Sequence, residues 1–194
     1  MQVIGIYGVN AVGKSTLAHL LSQDYTEYDT VATDNLLAIK RMLNSTEPVW
    51  QQSSYTQWQR LGDPSAENIW KGFVEYREGM QDYMRCILRR ARDQKVGMII
   101  EGVHINPEVF LEYQNELDIK LFILTITNKD IHKARINQKC DYRPELLKRL
   151  EINFQYIRDL QERCKEEAEK FPVHQIETGY PITNALNKMR EKIV

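Results

Sequence analysis

Eight residues, GVNAVGKS at 8–15, constrain this chain more than any other stretch. They match G-x-x-x-x-G-K-[ST], the loop whose backbone N–H groups cradle phosphate oxygens. Such a loop works only between an apolar strand and the N-terminus of a helix, where the helix end adds its own N–H groups and dipole. Both flanks are present: "QVIGIY" reads as a buried strand and "KSTLAHLL" as an amphipathic helix. Gly8 and Gly13 permit backbone angles and close approach that a Cβ would forbid. Asn10, Ala11, Val12 and Thr16 complete the set expected to wrap the phosphates. Lys14 is expected to pair with the β- and γ-phosphates, and the Ser15 hydroxyl to ligate Mg²⁺. The loop implies a nucleoside triphosphate. It leaves open whether the γ-phosphate is transferred, given to water, or sensed.

The remaining pattern predicts an α/β fold. Apolar runs at 3–7, 30–33, 97–101, 119–127 and 173–177 read as five strands separated by helical segments. Strands that are apolar throughout, alternating with helices, imply a parallel sheet covered on both faces. Helices are expected at 14–22 and 34–43. A stripe of Ile69, Phe73, Tyr76, Met80, Tyr83, Ile87 and Ala91 predicts one long helix over 65–94. A second, opening at Arg143-Pro144 with proline at its first position, is predicted to run to Pro172. A last helix is expected from about Pro181. The polar, aromatic-rich stretch 44–66 reads as irregular or partly helical. With 194 residues and no repeat or linker, a single domain is expected over 1–194.

Charge and cysteines narrow the partners. The net charge of −1 gives no overall basic field for nucleic acid. The run "RRAR" at 89–92 reads as a solvated helix face. No apolar run approaches the roughly 20 residues that span a bilayer, so no membrane partner is expected. Residues 1–8 lack a basic n-region and read as a strand, not a signal peptide. Cys86, Cys140 and Cys164 match no metal spacing and read as reduced thiols of a cytoplasmic protein. A monomer or homodimer is expected.

Three further features carry chemistry. Glu101 ends an apolar strand, where a Mg²⁺ site beside a phosphate loop needs a carboxylate. Asp34 follows the second strand. Helix capping by Thr33 and Asp34 is one explanation. The other is an acid at a strand's carboxyl end that accepts the proton of a substrate hydroxyl or joins the metal shell. Beyond the fourth strand lies a basic set, His132, Lys133, Arg135, Lys139 and Arg143. These residues suit a mobile helical lid, about 128–143, that lays a cation over the phosphoryl group. Arg135 is the first candidate and Arg143 the second. The "TNKD" at 127–130 places its aspartate one position too early for a guanine reader, and no D-x-x-G occurs. Hydrolysis in the switch-protein manner is therefore disfavoured. The insertion at 44–66 suits acceptor binding.

With these pieces in place the chain resembles the P-loop kinase superfamily, and more closely the 2-phosphoglycerate kinase family. "GVNAVGKSTLAHLL", "VATDNLLAIKR", "ILRRARDQKVGMIIEGVHINP" and "HKARINQK" carry the likeness. It implies a three-layer kinase-type fold with a parallel five-stranded sheet and a helical lid. It also implies ATP, Mg²⁺ and phosphoryl transfer to the 3-hydroxyl of 2-phosphoglycerate. By position, Lys14 and Ser15 serve ATP and Mg²⁺. Asp34 is the base or metal-side acid, Glu101 the acid of the third strand, and Arg135 the lid arginine. Arg41, His104 and Arg143 fall on the acceptor side. Two positions depart from the family: Leu37 stands where an arginine is common, and Lys139 is the second basic residue of the lid. A nucleoside, nucleotide or other small metabolite as acceptor, and a nucleotide-sensing module that does not transfer, are the alternatives.

Overall fold

Strand β1 (Gln2–Tyr7) is buried along nearly its whole length because it lies at the middle of a sheet. In this computed structural model, which describes residues 1–193, β1 pairs in parallel with β3 (Met98–Glu101) on one side and β4 (Asp118–Thr125) on the other. The edges are β2 (Asp29–Ala32), against β3, and β5 (Val173–Glu177), against β4. The order is β2-β3-β1-β4-β5, all parallel. Val3, Ile4 and Ile6 of β1, Ile99 and Ile100 of β3 and Phe122 to Leu124 of β4 have no exposed surface. Helices sealing both faces explain why these strands are apolar in both phases of the pleat. The expected α/β architecture and its five strands are observed.

The helices are α1 (Lys14–Asp24), α2 (Thr33–Leu43), α3 (Pro48–Gln51), α4 (Ala66–Glu78), α5 (Gln81–Gln94), α6 (Pro107–Leu111), α7 (Lys129–Lys139), α8 (Pro144–Ile152), α9 (Phe154–Ala168) and α10 (Ile182–Ile193). Two expectations are corrected. The stripe over 65–94 is two helices, α4 and α5, parted at Gly79-Met80. Ser65 starts α4 by accepting the Asn68 N–H at 3.1 Å. At the break the Trp50 ring lies over Gly79, and a Cβ there would fall 2.4 Å from its Cη2. The helix over 144–171 is likewise two, α8 and α9. They are parted at Asn153, whose side chain donates to the Arg149 carbonyl at 2.8 Å. The apolar stripe persists across both breaks, so periodicity alone reads each pair as one helix. Short α6, capped by the Asn106 side chain, has no counterpart in the sequence reading.

The segment 44–66 contains α3 and a 3₁₀ turn, Gln57–Arg60. Its aromatic residues are structural: Trp50 and Tyr55 are 4% and 3% exposed, and Trp58 packs edge-on against Tyr156. All three cysteines are free thiols. Among the described residues no helix is long and apolar enough to cross a membrane.

Candidate functional site

A parallel sheet brings the carboxyl ends of all its strands to one edge, and the phosphate loop emerges there from β1. Gly8 has φ +141, and a Cβ on it would fall 2.5 Å from the Leu124 carbonyl oxygen. Gly13 has φ +100 and leads directly into α1. Ala11, between them, also has positive φ, at 61. A cavity of about 530 Å³ opens over the loop. Ala11, Gly13 and Lys14 to Thr16 form one wall; Arg135, Gln138 and Lys139 of α7 form another; Ile182 closes it.

Lys14 is the centre of the charge pattern. Its ammonium donates to the Val9 carbonyl at 2.7 Å. Burial lowers its pKa to about 8; Glu101 and Asp34 pull it up while Lys139 adds to the fall. Four ionisable side chains from α1, β3, α2 and α7 are thus within electrostatic reach of one another. Next to Lys14, Ser15 Oγ donates to Glu101 Oε1 at 2.9 Å. Hydroxyl and carboxylate oxygens side by side are the donor set a hard divalent cation takes. Among the described residues no three His, Cys, Asp or Glu side chains cluster for a metal. A cation here would therefore complete its shell with nucleotide oxygens and water, which suits Mg²⁺.

Asp34 lies in the first turn of α2, exposed and without a hydrogen-bond partner among the described residues. The capping explanation fails, because the N-cap is Ala32 and no side chain caps this helix. Thr33 is fully buried and engaged elsewhere: its hydroxyl meets His104 Nδ1 at 2.7 Å. Gly102 makes that contact possible, since a Cβ on it would fall 1.7 Å from Thr33 Oγ1. His104 is 1% exposed and tilted at 44° against the Tyr76 ring, 5.1 Å between centroids, with Nε2 unpaired among the described residues. Burial drives its pKa down to about 4, against the pull of Asp34 and with Lys14 and Arg41 adding to the fall. It is a neutral imidazole at neutral pH.

The other expected residues divide. Arg135 is on the cavity wall, with Nη2 donating to the carbonyls of Thr178 and Tyr180 and Nη1 to Thr178 Oγ1. Lys139, expected in the basic lid set but behind Arg135 and Arg143, shares the cavity and adds to the lowering of the Lys14 pKa. Arg41 donates to the carbonyls of Trp50 and Gln52 at 2.6 and 2.8 Å, tying α2 to the 44–66 segment. Leu37 is buried beside Trp50, Tyr76 and Met80. Arg143 does not reach the cavity; it borders a separate surface hollow with Pro144, Glu145 and Arg149. Thr178 has no counterpart in the sequence reading, while His132, expected in the basic lid set, and Thr33, expected as a cap, hold other positions: His132 Nε2 meets the Asn10 carbonyl and Thr33 meets His104. Each is polar and fully buried, a property that no spacing in the sequence reveals.

No family model matches the chain. Relatives named 2-phosphoglycerate kinase are similar at 27–29% identity. That of Methanothermobacter thermautotrophicus is 29% identical over 90% of this chain and 60% of its own length. That of Methanocaldococcus jannaschii is 27% identical over 98% and 64%. A relative from Thermoplasma acidophilum named mevalonate-3-phosphate 5-kinase is 25% identical over 73% and 69%. The chain thus spans about six tenths of the length of the 2-phosphoglycerate kinases it matches. Among solved structures, a deoxyadenosine kinase from M. mycoides overlays at TM-score 0.53 and 15% identity, covering 98% of both chains. A shikimate kinase from Bacteroides thetaiotaomicron overlays at TM-score 0.51 and 12% identity, covering 98% of this chain and 96% of that one. The fold is that of the P-loop kinases, and the likeness to 2-phosphoglycerate kinases extends over most of the chain.

Proposed function

We propose that the chain is an ATP-dependent small-molecule kinase that transfers the γ-phosphate to a hydroxyl of a phosphorylated acid, with 2-phosphoglycerate to 2,3-bisphosphoglycerate as the leading reaction. The observation that carries the reading is the grouping of Lys14, the Ser15–Glu101 pair and the free carboxylate of Asp34 at one sheet edge. A hydrolase or sensor of triphosphate needs the first two. The exposed acid of Asp34 adds a group that can take the proton of an acceptor hydroxyl, which supports transfer.

In this reading the loop N–H groups and Lys14 hold the β- and γ-phosphates of ATP. Ser15 and Glu101 hold Mg²⁺, which neutralises charge on those phosphates when bound. Asp34 accepts the proton of the acceptor hydroxyl as its oxygen bonds to the γ-phosphorus. The bond from that phosphorus to the β–γ bridging oxygen breaks, and ADP leaves with the electron pair. His104, buried and held on Thr33 at the start of α2, acts by positioning the residue next to Asp34. Lys139 supplies a lid cation over the transferring group, while Arg135 braces the nucleotide side. The chemistry rests on positioning and charge, as phosphoryl transfer does in general.

Leu37 and Arg41 favour a second reading of the acceptor. An arginine clamp expected for a multiply charged acid is replaced by a buried leucine, and the neighbouring arginine is turned onto backbone carbonyls. A less charged small metabolite is therefore the alternative. ADP release from Mg-ATP, measured with 2-phosphoglycerate, 3-phosphoglycerate, other phosphorylated acids and sugars, and nucleoside monophosphates, tests both. Release with 2-phosphoglycerate alone is expected. Release with a different acceptor installs that acceptor instead. Equal release without any acceptor means hydrolysis, and none with any means a module that does not transfer.

A further inference from the structure

Three carbonyl oxygens of the phosphate loop are each held by a side chain. Val9 accepts from Lys14, and two captors come from outside the loop. His132 of α7 donates from Nε2 to the Asn10 carbonyl at 2.8 Å. Thr178, in the turn after β5, donates from Oγ1 to the Val12 carbonyl at 2.7 Å. In a trans peptide the carbonyl of one residue and the N–H of the next point in opposite directions. Holding the Asn10 carbonyl outward therefore turns the Ala11 N–H the other way, and holding the Val12 carbonyl does the same for the Gly13 N–H. Those are the donors an anion-binding loop needs.

Both captors are built in. His132 has no exposed surface and lies edge-on to Phe154 at 5.4 Å. A carbonyl can only accept, so Nε2 carries the hydrogen; Nδ1 is buried without a partner. Burial lowers the pKa of His132, the bond to Asn10 works against that, and Arg158 of α9, Arg135 of its own helix and Lys14 of α1 add to the fall. Although it sits in a basic run, His132 cannot serve as a clamp cation. Thr178 is also fully buried, and its hydroxyl faces the Val12 and Thr125 carbonyls and Arg135 Nη1.

We propose that His132 and Thr178 are positioning residues that preset the phosphate loop for triphosphate, by fixing the Asn10 and Val12 peptides with their N–H sides toward the cavity. The proposal rests on the donor-site reading above. Its test is calorimetric binding of Mg-ATP and Mg-ADP without acceptor, with a thermal melt on each protein. His132→Phe and Thr178→Val remove the hydrogen bond and keep the bulk. His132→Gln and Thr178→Ser keep a donor. The first two are expected to bind about tenfold more weakly, the equivalent of one hydrogen bond and its orphaned carbonyl. Gln and Ser are expected to recover most of that. In turnover the loss is expected in the KM for ATP, with kcat little changed. Folded Phe and Val variants that bind like the wild type overturn the proposal. So do Gln and Ser variants as weak as their counterparts, because packing would then be the cause. Should His132→Phe fail to fold, Thr178→Val and Thr178→Ser decide it. A wild type that binds no nucleotide overturns the donor-site reading, and the proposal with it.

Discussion

Asp34 and Lys14 carry opposite demands on their surroundings. A base for a substrate hydroxyl must be free and reachable, and Asp34 is exposed, with no hydrogen-bond partner among the described residues. Asp34→Asn keeps the shape and removes the basicity; kcat is expected to fall about 10²- to 10⁴-fold with ATP binding nearly unchanged. A variant with wild-type kcat would remove Asp34 from the reaction. Lys14 needs its charge, yet burial lowers its pKa to about 8. Bound phosphates favour the charged form, so the pKa is higher in the complex than in the free protein. Donor affinity is therefore expected to be level below pH 8 and to weaken progressively above it, toward tenfold per pH unit. Calorimetric titrations from pH 7 to 9.5 read this directly, and affinity that stays flat would mean that Lys14 keeps its proton unaided. Lys14, Ser15 and Glu101 are legible in the sequence because motif and strand end locate them. Thr33, His132 and Thr178 are not, because each owes its role to burial beside a partner 71 to 166 residues away.

At the scale of elements, the sheet was legible and the helix breaks were not. A strand is announced by its own apolar residues, whereas the break at Gly79 depends on a tryptophan 29 positions earlier. Gly79 is the C-cap of α4, with φ −61 and ψ −11, angles alanine adopts without strain, so alanine there gains about 0.4–1 kcal/mol by restricting the unfolded chain. Against that, its Cβ would sit 2.4 Å from a rigid ring. Overpacking costs about 1–3 kcal/mol. Gly79→Ala is expected to lower the urea midpoint. A raised midpoint would show that Trp50 yields easily and that something else parts α4 from α5. Arg41 belongs to the same corner, where it links α2 to the segment carrying Trp50. Arg41, expected from the sequence to read the acceptor, thus ties the 44–66 segment to α2.

At the scale of the molecule, two buried neutral histidines tie stability to pH. His104 has its pKa lowered from 6.5 to about 4, and that of His132 is lowered as well. Both would titrate near 6.5 once unfolded. As pH falls through 6.5 the unfolded chain takes up protons that the folded one refuses, so stability drops until the folded pKa is passed. For His104 the whole span is worth about 3 kcal/mol. Urea midpoints are expected to fall between pH 7 and pH 4.5, and less steeply in His104→Asn, which keeps a group facing Thr33. Equal slopes would mean that folding does not lower the pKa of His104. The amino-acid sequence by itself determined the parallel α/β sheet, the phosphate loop and the acid at the end of β3. These are local signals, readable from periodicity and from one eight-residue motif. Only the tertiary structure decided that Asp34 has no hydrogen-bond partner among the described residues and that Leu37 fills an apolar corner. It also decided that Arg143 lies apart from the cavity and that the loop's carbonyls are held by α7 and the turn after β5. The reason is physical: a side chain's charge state and hydrogen bonds are set by which distant groups exclude water from it, and that exclusion exists only once the chain has folded.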